Sequence, residues 1–310
     1  MGLLRSALLK ASESRWLADN LPRLAFSRRA VRRFMPGETL EDALAECARL
    51  GERGTGTVIT RLGENITDLR AATDVTRHYL DALSDIERKL LPTHLSVKLT
   101  QLGLDIATDQ VVTHMATITS HAERMQAPVW IDMESSAYTD RTIEIFRRLR
   151  QQEKNVGLCV QAYLHRTQQD IADLLQSTTA IRLVKGAYKE PNDVALPRKR
   201  DVDTNYLRCA EQLLIAAQKR TIGYVPAFAT HDVDLIERIQ STALKLGVAR
   251  EQFEFQMLYG INVQQQQALA TAGYRLRVLI SYGNAWFAWY MRRLAERPAN
   301  IWFVAKSVLG

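Results

Sequence analysis

Eight short apolar runs recur along this chain, and their spacing limits the fold more than any other feature. They fall at residues 57–61, 94–100, 128–133, 156–163, 179–187, 224–230, 253–259 and 275–282, starting 22 to 45 residues apart. Val, Ile, Leu and Phe dominate most of them, and Gly, Pro or Asn precedes several, as expected of buried strands. Amphipathic stretches of helical length lie between them at 68–90, 109–125, 140–153, 202–220 and 232–246, with a Gln-rich but helix-compatible stretch at 262–272. Strand alternating with helix predicts parallel pairing through right-handed crossovers. Eight such units close into a (βα)8 barrel of the TIM type. An open doubly wound sheet is the alternative, but no Gly-x-Gly-x-x-Gly opens any unit, which weighs against a dinucleotide-binding version.

The 310 residues suffice for one barrel of about 250 residues and an appendage. With 46% hydrophobic and 24% charged residues, the chain has enough apolar surface to offset chain entropy, which excludes disorder as its main state. No uninterrupted apolar run reaches about 18 residues, so no membrane-spanning helix is expected. Three dispersed cysteines, Cys47, Cys159 and Cys209, match neither a disulfide scaffold nor a zinc site and suit a reducing, cytoplasmic compartment. The net charge is +7, and residues 1–33 alone hold eight basic residues against Glu13 and Asp19. Residues 1–50 are therefore expected to form a basic helical arm, and residues 51–310 the barrel. Such an arm either packs on the main domain with a solvated face or touches an anionic surface, lipid or nucleic acid.

A barrel keeps its chemistry at the C-terminal ends of its strands. Polar residues interrupt the apolar runs there: Lys98, Asp132, Glu134, Gln161, Arg182, Lys185, Thr230, His231 and Gln256. A buried charge costs several kcal/mol unless paired, so six strands carrying such residues together point to a catalytic centre. The six histidines, His78, His94, His114, His121, His165 and His231, show no metal-ligand spacing, so no metal is expected. No Gly-x-Ser-x-Gly elbow is present. Three cations, Lys98, Arg182 and Lys185, outnumber the carboxylate Asp132, which suits an anionic ligand. Near the C-terminus an aromatic stretch ends in Arg292 and Arg293. Two adjacent arginines can enclose a carboxylate, or can simply complement a helix end, with Arg292 pairing to Glu296.

SVKLTQLG at 96–103, RLVKGAY at 182–188, FATH at 228–231, FQ at 255–256 and the pair Arg292 and Arg293 resemble the proline dehydrogenase family, in order, on successive expected strands. The resemblance runs from about residue 51 to the C-terminus and covers both the short monofunctional bacterial form and the matching domain of bifunctional proline utilisation flavoproteins. It implies a distorted (βα)8 barrel with an N-terminal helical arm and non-covalent FAD. The implied reaction is oxidation of L-proline to Δ1-pyrroline-5-carboxylate, with electrons passed to a membrane quinone. It further implies Δ1-pyrroline-5-carboxylate dehydrogenase as a partner and peripheral contact at the inner face of the membrane. By the same resemblance, Arg292 and Arg293 clamp the proline carboxylate and Lys98 also meets substrate. Asp132 and Tyr188 line the pocket, with Leu258 as an apolar wall. Arg182 faces the flavin N5, and Met133, Gln161, Lys185, Gly186, Ala187, Thr230, His231 and Gln256 match other flavin contacts. Glu64 resembles the acid that pairs with the first arginine to gate the site. Leu279 and Trp289 depart from the family, standing where better-known members carry tyrosines.

The chemistry of the residues agrees. No side chain accepts a hydride, so a cofactor must, while the protein supplies orientation and electrostatics. Hydride loss from proline C5 leaves a cationic iminium, so the reacting amine must be neutral, and a cation-rich site favours its deprotonation. Two other readings stay open at this level. One is a class I aldolase or lyase with Lys98 or Lys185 forming a Schiff base. The other is a nucleic-acid-binding protein using residues 1–33, for which the chain offers no recognised motif, so no nucleic-acid partner is expected.

Overall fold

The computed structural model describes residues 31–152, 155–176, 180–219, 225–287 and 289–291. The expected arm up to residue 30, together with Arg292 and Arg293, lies outside the described residues. Chain order is α1 (Leu40–Gly51), β1 (Gly56–Arg61), α2 (Leu69–Arg88), β2 (Thr93–Val97), α3 (Thr108–Glu123), β3 (Val129–Ile131), α4 (Thr139–Arg150), β4 (Val156–Gln161), α5 (Thr167–Leu174), β5 (Ala180–Val184), α6 (Lys199–Gln218), β6 (Ala227–Ala229), α7 (Val233–Lys245), β7 (Glu254–Leu258), α8 (Val263–Thr271) and β8 (Arg275–Tyr282). The eight strands are parallel and close in sequence order, with β1 paired to β8 from Gly56↔Arg277 to Arg61↔Tyr282. The expected (βα)8 barrel is present. Among the described residues, no helix is long and apolar enough to cross a membrane.

Six of the eight strands are shorter than their apolar runs, while β8 matches its run and β1 starts one residue earlier. β2 stops at Val97 and gives way to a 3-10 turn, Leu99–Leu102, and β5 stops at Val184 rather than running to residue 187. The reason is local: Lys98 and Lys185 turn into the loops that carry the polar groups, and a loop backbone is satisfied there by other means. Gln101 shows how. Its Nε2 donates to the carbonyls of Arg61 (2.8 Å) and Gly63 (2.7 Å), while its Oε1 accepts from Tyr79 (2.8 Å). One amide thereby fixes the start of the β1 loop that bears Glu64.

Helix α1 starts in a capping box, in which the Thr39 side chain accepts from the Asp42 N–H and Asp42 reaches back to the Thr39 N–H. Its apolar face, Ala43, Leu44 and Cys47, lies in the main core, and the helix packs on β1 and β8. This helix falls within residues 1–50, read from sequence as arm, and it covers the flank where a helix following β8 would lie. The chain after β8 goes elsewhere. Trp286, Phe287, Trp289 and Tyr290 join Val31, Phe34, Met35, Leu62 and Ile261 in a second apolar cluster. Leu62 directly follows β1, and Ile261 comes three residues after β7, so this cluster lies at the mouth of the barrel.

Gly260, in the turn after β7, makes that closure possible. Its φ is +71°, and an added Cβ would fall 1.6 Å from the Arg33 carbonyl oxygen. A left-handed alanine is disfavoured by about 1–2 kcal/mol, and forcing extra volume into packed structure costs about 1–3 kcal/mol more. Gly260→Ala should therefore lower unfolding free energy by about 2–5 kcal/mol in urea titrations. Limited proteolysis should show earlier cleavage near residue 33 in the variant.

Candidate active site

Side chains alternate across a strand, so residues two apart share the barrel interior. On β7, Glu254 and Gln256 form such a pair, while Trp130 on β3 and Ser96 on β2 stand two residues before Asp132 and Lys98, which directly follow those strands. Trp130 sits low in the interior among Val58, Ala180, Ala227 and Leu279. Gly157 on β4 leaves room for the indole, since a Cβ there would stand 2.7 Å from the ring. Above this layer lies Arg182 from β5, whose guanidinium is buried over Trp130, 5.1 Å from the ring centroid.

The guanidinium is ringed by acceptors. Nη2 donates to Asp132 Oδ1 and to Ser96 Oγ (2.8 Å), and Nη1 donates to Gln256 Oε1 (3.2 Å). Ser96 donates in turn to Asp132 Oδ1 (2.8 Å), and Lys98 Nζ donates to Oδ2 (3.1 Å). Asp132 thus takes one cation on each carboxylate oxygen. Burial alone would raise its pKa, but the charges of Lys98 and Arg182 outweigh burial and hold it below the ordinary value. For Lys98, burial acts to lower the pKa, and the charges of Asp132, Glu64 and Glu134 raise it above the ordinary value. A lysine so paired is a charged anchor and a poor Schiff-base nucleophile.

Around this centre the other expected residues take distinct places. Gln161, the last residue of β4, donates through Nε2 to the carbonyls of Met133 (3.2 Å) and Glu134 (3.1 Å). Its Oε1 is buried without a partner among the described residues. Lys185 Nζ donates to Asp203 (2.5 Å) and Asp232 (2.9 Å), which joins the end of β5 to α6 and to the start of α7. His231 Nε2 accepts from the Leu258 N–H (3.2 Å), tying the end of β6 to that of β7, and Thr230 Oγ1 accepts from the Asp232 N–H (3.2 Å). Leu258 is half-buried against the mouth cluster. Gly186, at φ +112°, Ala187 and Tyr188 are half-buried in the loop after β5. Glu190 anchors that loop by accepting from the Ser136 N–H (2.7 Å) and hydroxyl.

Lys98, Asp132, Arg182 and Gln256 therefore meet in one cluster, with Glu64 close enough to act on Lys98. Lys185 belongs to a second cluster. Sequence reasoning missed Ser96, Trp130 and Glu254 as members of the site. Each stands two residues before a residue it did single out, so strand alternation carried the signal.

A charged, acceptor-lined mouth on a closed parallel barrel defines an enzyme with a preformed polar site. The proline dehydrogenase family model matches residues 43–306. Proline dehydrogenase 1 of Bacillus subtilis (strain 168) is 38% identical over 307 residues, 99% of each chain. Proline dehydrogenase of Deinococcus radiodurans is 35% identical over 282 residues, 89% of each. The crystal structure of proline utilization A from Bdellovibrio bacteriovorus, inactivated by N-propargylglycine, superposes with a TM-score of 0.79 at 25% identity. It covers 86% of this chain, which spans 32% of that longer one. The chain belongs to the proline dehydrogenase family, and it is an oxidoreductase of proline catabolism.

Glu134, two residues beyond Asp132, is a titrating group of the site. Burial pushes its carboxyl up to about 7, against hydrogen bonds from the Thr100 N–H (3.1 Å) and hydroxyl (2.6 Å) and the charge of Lys98. The folded protein thus holds a proton that the unfolded chain releases near 4.5. Its contribution to stability is full below pH 4.5 and is lost as pH rises to about 7, on the order of 3 kcal/mol in all. Glu134→Gln should remove this slope. Unfolding free energies of parent and variant should diverge steadily from pH 4.5 to 7, then run parallel.

Proposed function

We propose that the chain oxidises L-proline to Δ1-pyrroline-5-carboxylate with a non-covalently held FAD, and passes the electrons to a membrane quinone. The observation that carries this reading is the Lys98–Asp132–Arg182 cluster at the barrel mouth. The residues present fit a flavin. Gln161 Oε1, a buried acceptor without a partner among the described residues, suits a ring that presents one N–H edge between carbonyls. Arg182 is a permanent charge where reduction builds up negative charge, and Lys185, Gly186, Ala187, Thr230, His231, Met133 and Gln256 complete the expected cradle. When bound, the flavin supplies the hydride acceptor that no side chain offers.

The chain's own residues do the rest. Arg292 and Arg293 take the substrate carboxylate, and Lys98 also meets the substrate. Leu258 and the aromatic cluster at the mouth exclude water above the ring. Tyr188, held in the loop anchored by Glu190, lines the pocket with Asp132. The local excess of cations disfavours a protonated amine, so proline reacts with its nitrogen lone pair free. Glu64, on the loop fixed by Gln101, gates the entrance by pairing with Arg292. The released imine is the substrate expected of Δ1-pyrroline-5-carboxylate dehydrogenase as the next enzyme. Electron delivery to a quinone places the protein at the inner face of the membrane, with the basic stretch of residues 1–33 as the contact.

Two measurements test the reading. The purified protein should show flavin absorbance that bleaches on anaerobic addition of L-proline; a colourless protein with no proline-dependent turnover on added FAD refutes it. Arg292→Met and Arg293→Met should leave flavin content unchanged and raise the KM for proline at least about tenfold, since a charge-assisted contact contributes roughly 1.5–3 kcal/mol. An unchanged KM in both variants would return the pair to a helix end.

A further inference from the structure

Behind Arg182 lies a second ion pair that no part of the proposed reaction uses. Glu254, on β7, is buried inside the barrel. Its Oε2 accepts from Arg277 Nε (3.1 Å), and its Oε1 accepts from Gln256 Nε2 (2.6 Å). Arg277, on β8, is itself fixed by donating through Nη1 to the Pro92 carbonyl (2.9 Å). The chain of contacts therefore runs from the base of the barrel upward: Pro92, Arg277, Glu254, Gln256, Arg182.

The middle of this chain has a direction. A primary amide has one accepting and one donating end, and the two can be exchanged by rotating the group. A carboxylate only accepts, so Glu254 obliges Gln256 to present its NH2 group downward. The Gln256 carbonyl must then face upward, where Arg182, which only donates, needs an acceptor for Nη1. If the amide were turned over, two donors would face each other in a buried place. An orphaned buried donor is costly enough to displace the guanidinium from its plane over Trp130.

We infer that Glu254 is a positioning residue. By fixing the orientation of the Gln256 amide it fixes the guanidinium of Arg182, and through it the reduction potential of the flavin. The inference rests on the flavin reading above. Arg277 serves to balance the charge of Glu254, so that the site receives the acceptor without its negative field. Simple removal of Glu254 would confound two effects, because losing a negative charge raises a nearby potential while losing the acceptor lowers it.

Charge-neutral pairs separate them. In Glu254→Met/Arg277→Met both charges and the acceptor go. In Glu254→Gln/Arg277→Met both charges go, but a carbonyl remains to accept from Gln256. Spectroelectrochemical titration of the flavin-loaded proteins should show the Met pair at least about 30 mV below the parent, a tenfold change in the two-electron equilibrium. The Gln-containing pair should stay within about a third of that shift. Gln256→Met should fall as the Met pair does, and combining the two should add little, because they break one chain. The KM for proline should stay within about twofold in the two charge-neutral pairs.

A folded, flavin-replete Met pair at the parent potential overturns the inference, as does an equal shift in both pairs. If the Met pair does not fold, Gln256→Met decides: a parent-like potential there overturns it. A parent protein without flavin absorbance overturns the cofactor reading itself, and this result is distinct from every other.

Discussion

The guanidinium of Arg182 sits inside a parallel barrel with 2% of its side-chain surface exposed, and the polar architecture around it follows from that burial. An unpaired charge there costs several kcal/mol, so neighbouring strands must deliver acceptors to one point. The residue just after β3 is Asp132, β2 supplies Ser96, and β7 supplies Gln256, while the face of Trp130 lies beneath. Each of these partners needs partners of its own. Asp132 takes Lys98, and Gln256 takes Glu254, which takes Arg277. One buried cation thus propagates a polar network from the mouth of the barrel down to its base. Such networks are favourable only when every member is satisfied, and satisfaction also makes them rigid. A rigid charge has its solvation fixed in advance of any reaction, which is what electrostatic preorganisation requires.

The mouth is closed on a different principle. There the contacts are apolar and aromatic, with Trp286 and Tyr290 at 6.0 Å and 87° between ring planes, and Phe34 against Tyr290. This cluster gathers the chain before α1, the turns after β1 and β7, and the segment after β8. It can form because α1 covers the β1–β8 flank and frees the segment after β8 to cross the mouth instead. The residue that couples the two is Gly260, where the backbone passes so close to Arg33 that no side chain fits. Polar floor and apolar roof divide the labour: the floor fixes charges, and the roof excludes water from them.

Much of this was legible in the chain. Eight apolar runs at βα spacing specified the barrel, because parallel strands buried on both faces must be apolar throughout and must be joined by crossovers. The polar interruptions at Lys98, Asp132, Arg182 and Gln256 stood out against that background, since a charge in a buried strand requires a reason. Helix α5 (Thr167–Leu174) gave little signal because two turns are too short to establish a period. The place of α1 was hidden because its amphipathic pattern says that one face is buried, not against which strands.

What the sequence determined by itself is the set of residues that point inward and the ends of the strands that carry chemistry, since both follow from a period of two and from burial. The tertiary structure decided which of them touch. Lys98 and Lys185 look alike as lysines at strand ends, yet one joins Asp132 and Arg182, while the other is held by Asp203 and Asp232. Glu254 and Glu134 are both buried acids, yet Arg277 faces the first, while burial dominates the second. Partner choice across a barrel depends on strand register and on the stagger of the closed sheet. These are set by packing between segments as many as 185 residues apart, as where Arg277 meets Pro92.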